Sequence, residues 1–173
     1  MSLLFLLSAG FIVYVLFLYP ALLAAWARLA PRRPKKLFRP RTVSVLLPVH
    51  NGAKWIGRKL QSIAALDYPP ELLEIVVLID GDDPGSAALA RGFGDRRVKV
   101  MELPRGGKAA ALDAGLALAS GEILLLTDVR QELDKNSLRE LIACFGDEQV
   151  GVVSSELIIR NDRTREKTNI KLY

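Results

Sequence analysis

Three aliphatic runs in this chain stop at residues able to do chemistry. In Gly121–Gln131 (GEILLLTDVRQ), four aliphatic residues, Ile123 to Leu126, follow a Gly-Glu turn and end at Thr127-Asp128. The run predicts a strand buried on both faces, which sets one carboxylate at its carboxyl end. Asp128 there suits a hard divalent cation that bridges diphosphate oxygens, or else the N-cap of the next segment. The run LEIVVLI (73–79) ends at Asp80-Gly81-Asp82. A carboxylate so placed accepts two hydrogen bonds from a ribose or from the imide edge of a pyrimidine, although Asp-Gly is also a common turn pair. The run TVSVLL (42–47) ends at Pro48-Val49-His50-Asn51. A fourth segment, Arg105-Gly106-Gly107-Lys108, opens a helical pattern, where glycines, a helix N-terminus and two cations can cradle a diphosphate. An ordinary loop with two solvated charges has the same composition. Ligands of open α/β sheets bind beyond the carboxyl ends of the strands, so these segments are expected to converge on one crevice.

Spacing excludes other phosphate-handling designs. GxxxxGK[ST] is absent, since Glu102 stands where its first glycine would fall and Ala109 follows Lys108. No G-x-G-x-x-G follows a strand, and the first strand is not followed by the glycine-rich loop of a sugar-phosphate nucleotidyltransferase. The single histidine, His50, leaves too few ligands for a His-based zinc site, and the lone Cys144 permits no internal disulfide.

The elements that must position these residues alternate. Strands are expected at 42–47, 73–79, 98–103, 123–126 and 150–159. Helices are expected at 52–66 with Asn51 as cap, and at 84–93, 108–119 and 136–145. That alternation means an α/β fold with a mostly parallel sheet flanked by helices. Upstream, residues 1–27 carry no charge, which exceeds the roughly 20 apolar residues a membrane-crossing helix needs. Arg28, Arg32, Arg33, Lys35, Lys36, Arg39 and Arg41 follow. Ala25-Trp26-Ala27 formally fits a signal-peptide cleavage pattern, but the apolar stretch is too long and lacks a basic leader. The expectation is an uncleaved anchor in an inner or plasma membrane, with the following domain cytoplasmic, and a basic, proline-rich linker at 28–41 lying against anionic headgroups. Ten basic and no acidic residues precede Asp67, whereas the remainder holds fourteen basic and nineteen acidic. The net charge of +5 therefore belongs to the N-terminal part and does not point to nucleic acid.

In combination the four segments are far more specific. TVSVLLPVHN (42–51), EIVVLIDGD (74–82), GGKAAALDAG (106–115) and GEILLLTDVRQ (121–131) occur in one order at one spacing. The series resembles the donor-binding half of family-2 glycosyltransferases, inverting enzymes of the GT-A (Rossmann-like) fold, over about Val43 to Ile159. The anchor and basic linker look like the membrane-associated, polysaccharide-making branch. The resemblance implies a nucleotide-sugar donor (UDP-sugar favoured), a saccharide or lipid-linked acceptor, and Mg2+ or Mn2+. It implies that Pro48, Val49, His50 and Asn51 line the base, that Asp80 and Gly81 meet the base or ribose, and that Gly107 and Lys108 face the diphosphate. Asp128 would be the metal-binding carboxylate of the D-x-D motif. That motif reads Asp128-Val129-Arg130 here, without its second carboxylate, Asp113 stands where the family often shows Asn, and Ser155 where Gly is frequent. The domain reading is an anchor at 1–27, the linker at 28–41, a nucleotide-sugar-binding domain at 42–160, and at 161–173 the start of an acceptor-side region cut short. The catalytic base is then expected beyond Tyr173; Glu156, Asp162 and Glu166 carry no assignment. The rival reading is a non-catalytic, membrane-tethered nucleotide-sugar-binding module.

Overall fold

The computed structural model describes residues 2–31 and 34–156, and the backbone of 158–160 and 167–169. The chain divides into two units, Met1–Lys35 and Lys36–Tyr173. The first holds an apolar helix over Ser2–Leu29, with an 18-residue window of mean hydropathy 2.3 and no buried residue, long enough to cross a membrane by length and composition. It consists of α1 (Ser2–Val13), a π-helical turn (Tyr14–Leu18) and α2 (Tyr19–Leu29). The Tyr19 N–H reaches back to the Tyr14 carbonyl directly ahead of Pro20, which has no N–H to give. Widening the turn before a proline is a recognised way for a helix to absorb the missing donor and the ring.

In the second unit the strands β1 (Val43–Val49), β2 (Leu73–Asp80), β3 (Val98–Leu103) and β4 (Ile123–Leu126) form one sheet in the order β3-β2-β1-β4. All three pairings are parallel. Because strand side chains alternate faces, Val43, Val45, Leu47 and Val49 of β1 join Ile75, Val77 and Ile79 of β2 in one core. That core is covered by Ile56, Leu60 and Ile63 of α3 (Ala53–Ala64), Ala87 and Ala90 of α4 (Pro84–Arg91), and Leu138 and Ile142 of α6 (Ser137–Cys144). On the other face Leu46, Val76 and Leu78 pack with Ala111 of α5 (Gly107–Leu116). Helices thus cover both faces, as the alternating pattern predicts. Strand order reverses between β1 and β4, which creates a switch point at their carboxyl ends.

Four sequence expectations need correction. β1 does not stop at Leu47 but runs through Pro48 to Val49. Leu46 accepts the Thr127 N–H on the β4 side, so residue 48 faces the same side, beyond the end of β4, and its missing N–H costs no ladder bond. β4 is not buried on both faces: Leu124 and Leu126 are exposed, because α5, which covers that face of the sheet, packs over β1 and β2. Gly151–Glu156 form no strand, having no ladder partner among the described residues; only Ile158–Arg160 (β5) pair, antiparallel to Lys167–Asn169 (β6). Asn51 does not cap α3; the cap position is Gly52. The second unit also begins inside the segment expected as linker. The Leu37 N–H donates to Ala143 O at 2.9 Å, and the Phe38 ring meets Tyr68 edge-on at 6.2 Å.

Candidate functional site

At the switch point lies a crevice of about 420 Å³, lined by Pro48, Val49, His50, Asn51, Trp55, Asp80, Arg105, Gly107, Lys108, Asp128, Val129 and Arg130. The expected site residues therefore meet there, with the exception of Gly81, whose φ of 93° instead makes the turn that lets Arg105 pass close by. The volume falls within the usual range for small-molecule sites.

Asp80 ends β2 and is buried. Its Oδ1 accepts the Gly106 N–H at 2.7 Å and the Gly107 N–H at 3.1 Å, and its Oδ2 accepts Arg105 Nη1 at 2.6 Å. The Gly106 hydrogen bond, outweighing the upward push of burial and aided by Gly107 and Arg105, holds the Asp80 carboxyl below the usual carboxylate range. The carboxylate expected to meet a nucleoside directly thus also orders the Arg105–Lys108 loop. Gly107 has φ 82°, a conformation L side chains rarely adopt, which explains why glycine stands where this N–H must face Asp80. The loop carries Lys108 at the start of α5, and among the described residues Lys108 forms no ion pair.

The segment after β1 is tied down by neighbours. The Gly52 N–H donates to Asp83 Oδ2 at 3.2 Å and to Ser86 Oγ at 3.0 Å, while Asp83 Oδ1 caps α4 by accepting the Ser86 N–H at 3.1 Å. A side chain at position 52 would put its Cβ 2.4 Å from Val49 Cγ1, so only glycine fits there. Asn51 is held at φ 51° with its amide nitrogen 3.1 Å from His50 Nε2. His50 Nδ1 lies 2.9 Å from the Asp80 carbonyl, an oxygen that only accepts. The proton therefore sits on Nδ1, and Nε2 accepts from Asn51.

Asp128 follows β4. Its Oδ1 accepts the Arg130 N–H at 2.9 Å and Arg130 Nε at 3.3 Å, and its Oδ2 has no hydrogen-bond partner among the described residues. Partial burial pushes this carboxyl upward, but the Arg130 hydrogen bonds and the charges of Arg130 and Lys108 outweigh it and hold the group ionised below the ordinary range. An ionised carboxylate with one open oxygen fits one ligand position of Mg2+ or Mn2+. Among the described residues no three His, Cys, Asp or Glu side chains cluster to hold a metal, so the remaining positions would fall to the ligand and water.

Sequence reasoning missed two residues here. Lys59 of α3 is fully buried beneath the Asp128 loop and donates to Thr127 Oγ1 at 2.6 Å and to the Gln131 carbonyl. Burial lowers its pKa to about 8, against the opposing pull of Asp128 and Glu132. The available signal was a lysine on the same helical face as Ile56, Leu60 and Ile63. Trp55, in the first turn of α3, also lines the crevice, and nothing in the sequence around it marked it out. Of the acidic residues left without assignment, Glu156 is exposed outside the crevice, and Asp162 and Glu166 lie outside the described residues.

The profile of a family described as glycosyl transferase family 2 matches residues 44–173. A probable glycosyltransferase, YdaM of Bacillus subtilis, is 26% identical over 164 residues, which are 91% of this chain and 37% of that protein. The fold superimposes on a mannosyltransferase of Pyrobaculum calidifontis, solved with GDP-Man and Mn2+, with TM-score 0.66 and 25% identity, covering 86% of this chain and 44% of the other. It also superimposes on residues 1–349 of TarS of S. aureus, solved with UDP-GlcNAc, with TM-score 0.51 and 29% identity, covering 56% and 29%. The chain thus spans less than half the length of these relatives.

Proposed function

The chain belongs to glycosyl transferase family 2, and on that premise we propose that it binds the nucleotide-sugar donor of an inverting glycosyl transfer. The observation that carries the reading is the meeting of Asp128, Lys108 and the Pro48–Asn51 segment in one crevice at the switch point. Pro48, Val49, His50 and Asn51 line the base, with UDP-sugar the favoured donor. Asp80 acts on the donor through the Arg105–Lys108 loop that it orders. Lys108 meets the diphosphate and stabilises the leaving group as negative charge develops. Asp128 would hold Mg2+ or Mn2+ together with diphosphate oxygens; when bound, the metal supplies charge neutralisation of the leaving diphosphate. The acceptor is a saccharide or lipid-linked sugar. Ser2–Leu29 is the membrane anchor, with the basic flank and the second unit on the cytoplasmic side of an inner or plasma membrane.

A rival reading, a tethered module that binds the donor without transferring it, is favoured by one observation. The carboxylates lining the crevice are Asp80, whose oxygens are both engaged, and Asp128, which the metal role would occupy, while the His50 ring is held between the Asp80 carbonyl and Asn51. One experiment addresses both readings. The chain of residues 1–173, retained in membranes through an alkaline wash and then extracted in detergent, is titrated calorimetrically with UDP and GDP in the presence of Mn2+. It is also assayed for transfer of radiolabelled sugar. Nucleoside diphosphate binding is expected. No binding at millimolar ligand would sink the donor reading, and steady transfer would sink the module.

A further inference from the structure

Arg130 stands where the motif would place a second carboxylate, and the structure gives it a specific posture. Its Nε and its backbone N–H both lean on a single oxygen of Asp128, while its side chain is 67% accessible and lines the crevice with Arg105 and Lys108. A guanidinium has five N–H donors in a rigid fork, and only Nε is engaged among the described residues. The outer edge of that fork is therefore open toward the space assigned to the diphosphate. Arg105 differs, since its Nη1 is committed to Asp80.

We propose that Arg130 is a diphosphate-binding residue that shares Asp128 with the divalent cation. It bridges Asp128 and the diphosphate when no metal is bound, and it gives up Asp128 when a metal enters. The inference rests on the donor-binding reading above. Two physical facts require the sharing. An exposed arginine–carboxylate pair is weak and easily exchanged, so it cannot hold Asp128 against a divalent cation backed by diphosphate oxygens. A fixed positive charge beside the one crevice carboxylate with an open oxygen also repels an entering cation, so Arg130 weakens metal binding while strengthening metal-free nucleotide binding. One substitution should then move two affinities in opposite directions, which a merely structural role would not do.

The test compares wild type with Arg130→Gln, Arg130→Lys and Arg130→Asp in the chain of residues 1–173. UDP and GDP are titrated in EDTA and in Mn2+, and Mn2+ binding is read separately from the loss of its free electron-paramagnetic-resonance signal. In EDTA, Arg130→Gln is expected to weaken nucleotide binding about tenfold, as loss of one charge-assisted hydrogen bond predicts, with partial rescue by Arg130→Lys. The same Arg130→Gln protein should bind Mn2+ several-fold more tightly, and Arg130→Asp more tightly still, with its nucleotide binding confined to the metal-loaded state. Equal nucleotide affinity of wild type and Arg130→Gln in EDTA, no wild-type binding without metal, or unchanged Mn2+ affinity would each overturn the proposal while leaving the donor reading intact. Failure of wild type to bind either nucleotide under both conditions would overturn the donor reading, and this inference with it.

Discussion

At the amino ends of the strands, Glu74 of β2 accepts hydrogen bonds from Ser44 Oγ of β1, from the Ser120 N–H at 2.7 Å and hydroxyl at 2.8 Å, and from Lys99 Nζ of β3 at 2.8 Å. At the carboxyl ends, Asp128 uses one oxygen and leaves the other open. Both carboxylates sit on the same sheet, but one is saturated and the other is not. Burial pushes Glu74 upward, yet the bonds from Lys99, Ser44 and Ser120 outweigh it and bring its pKa to about 2. A saturated carboxylate stitches strands together, and an unsaturated one is left for a ligand. By this measure Asp80 belongs with Glu74, since its three bonds tie the Arg105–Lys108 loop to the end of β2. Buried polar groups that are fully paired specify structure, whereas incomplete pairing marks a functional position.

The largest effect that would sharpen this contrast is at Glu74. Glu74→Ala removes the acceptor shared by Ser44, Ser120 and Lys99 and is expected to cost about 3 kcal/mol of unfolding free energy. Because the folded pKa lies below the ordinary 4.5, the stabilisation is fully present above pH 4.5 and is lost as pH falls toward about 2. Urea melts of wild type and Glu74→Gln across that window should converge as the pH drops; parallel curves would break the assignment.

Lys59 should give a smaller loss of stability on substitution, and a pH response of the same sign in a higher window. Its folded pKa of about 8 lies below the ordinary 10.5, so the unfolded chain holds the proton more tightly, and stability rises as pH climbs from about 8 to 10.5. Lys59→Met should remove that rise, because no other change is made to the titrating set. Loss of two hydrogen bonds, offset by relief of desolvation, predicts only about 1 kcal/mol of destabilisation at neutral pH. A melt series at pH 7, 8, 9 and 10 would show it. The smallest effect is expected at the open carboxylate: Asp128→Asn should alter stability by no more than about 0.5 kcal/mol, since it disturbs one exposed pair. A loss comparable to that of Glu74→Ala would place Asp128 among the structural carboxylates.

What the sequence reveals follows from which forces are local. β1 and β2 were legible because a strand buried on both faces reads as a run rich in Val, Ile and Leu, and Asp80 and Asp128 were legible because the aliphatic runs of β2 and β4 stop at them. The exposure of Leu124 and Leu126 was not, since an aliphatic run looks the same whether or not a neighbour covers its second face. Val150 to Val153 failed for a related reason: a strand needs a ladder partner, and aliphatic content alone does not provide one. The saturation of Asp80 by backbone N–H groups was hidden because glycine amides have no sequence signature of their own. Lys59 was readable in principle, as a cation out of place on an apolar stripe.

The strand order β3-β2-β1-β4 also has a consequence for how the crevice comes into being. The pairing of Val43 with Leu73 closes 30 residues and that of Ile75 with Val98 closes 23, whereas Val43 reaches Ile123 only across 80. Chain entropy makes that last closure dearer than the first by about 0.9 kcal/mol, and β4 offers only four rungs in return. From the unfolded chain, the β1–β4 pairing is therefore the costliest of the three to close. A folding chain that had zipped β1, β2 and β3 would already hold Asp80 and the loop it orders, yet would lack Asp128. The carboxylate left open for a ligand is the one carried by the pairing of longest sequence separation.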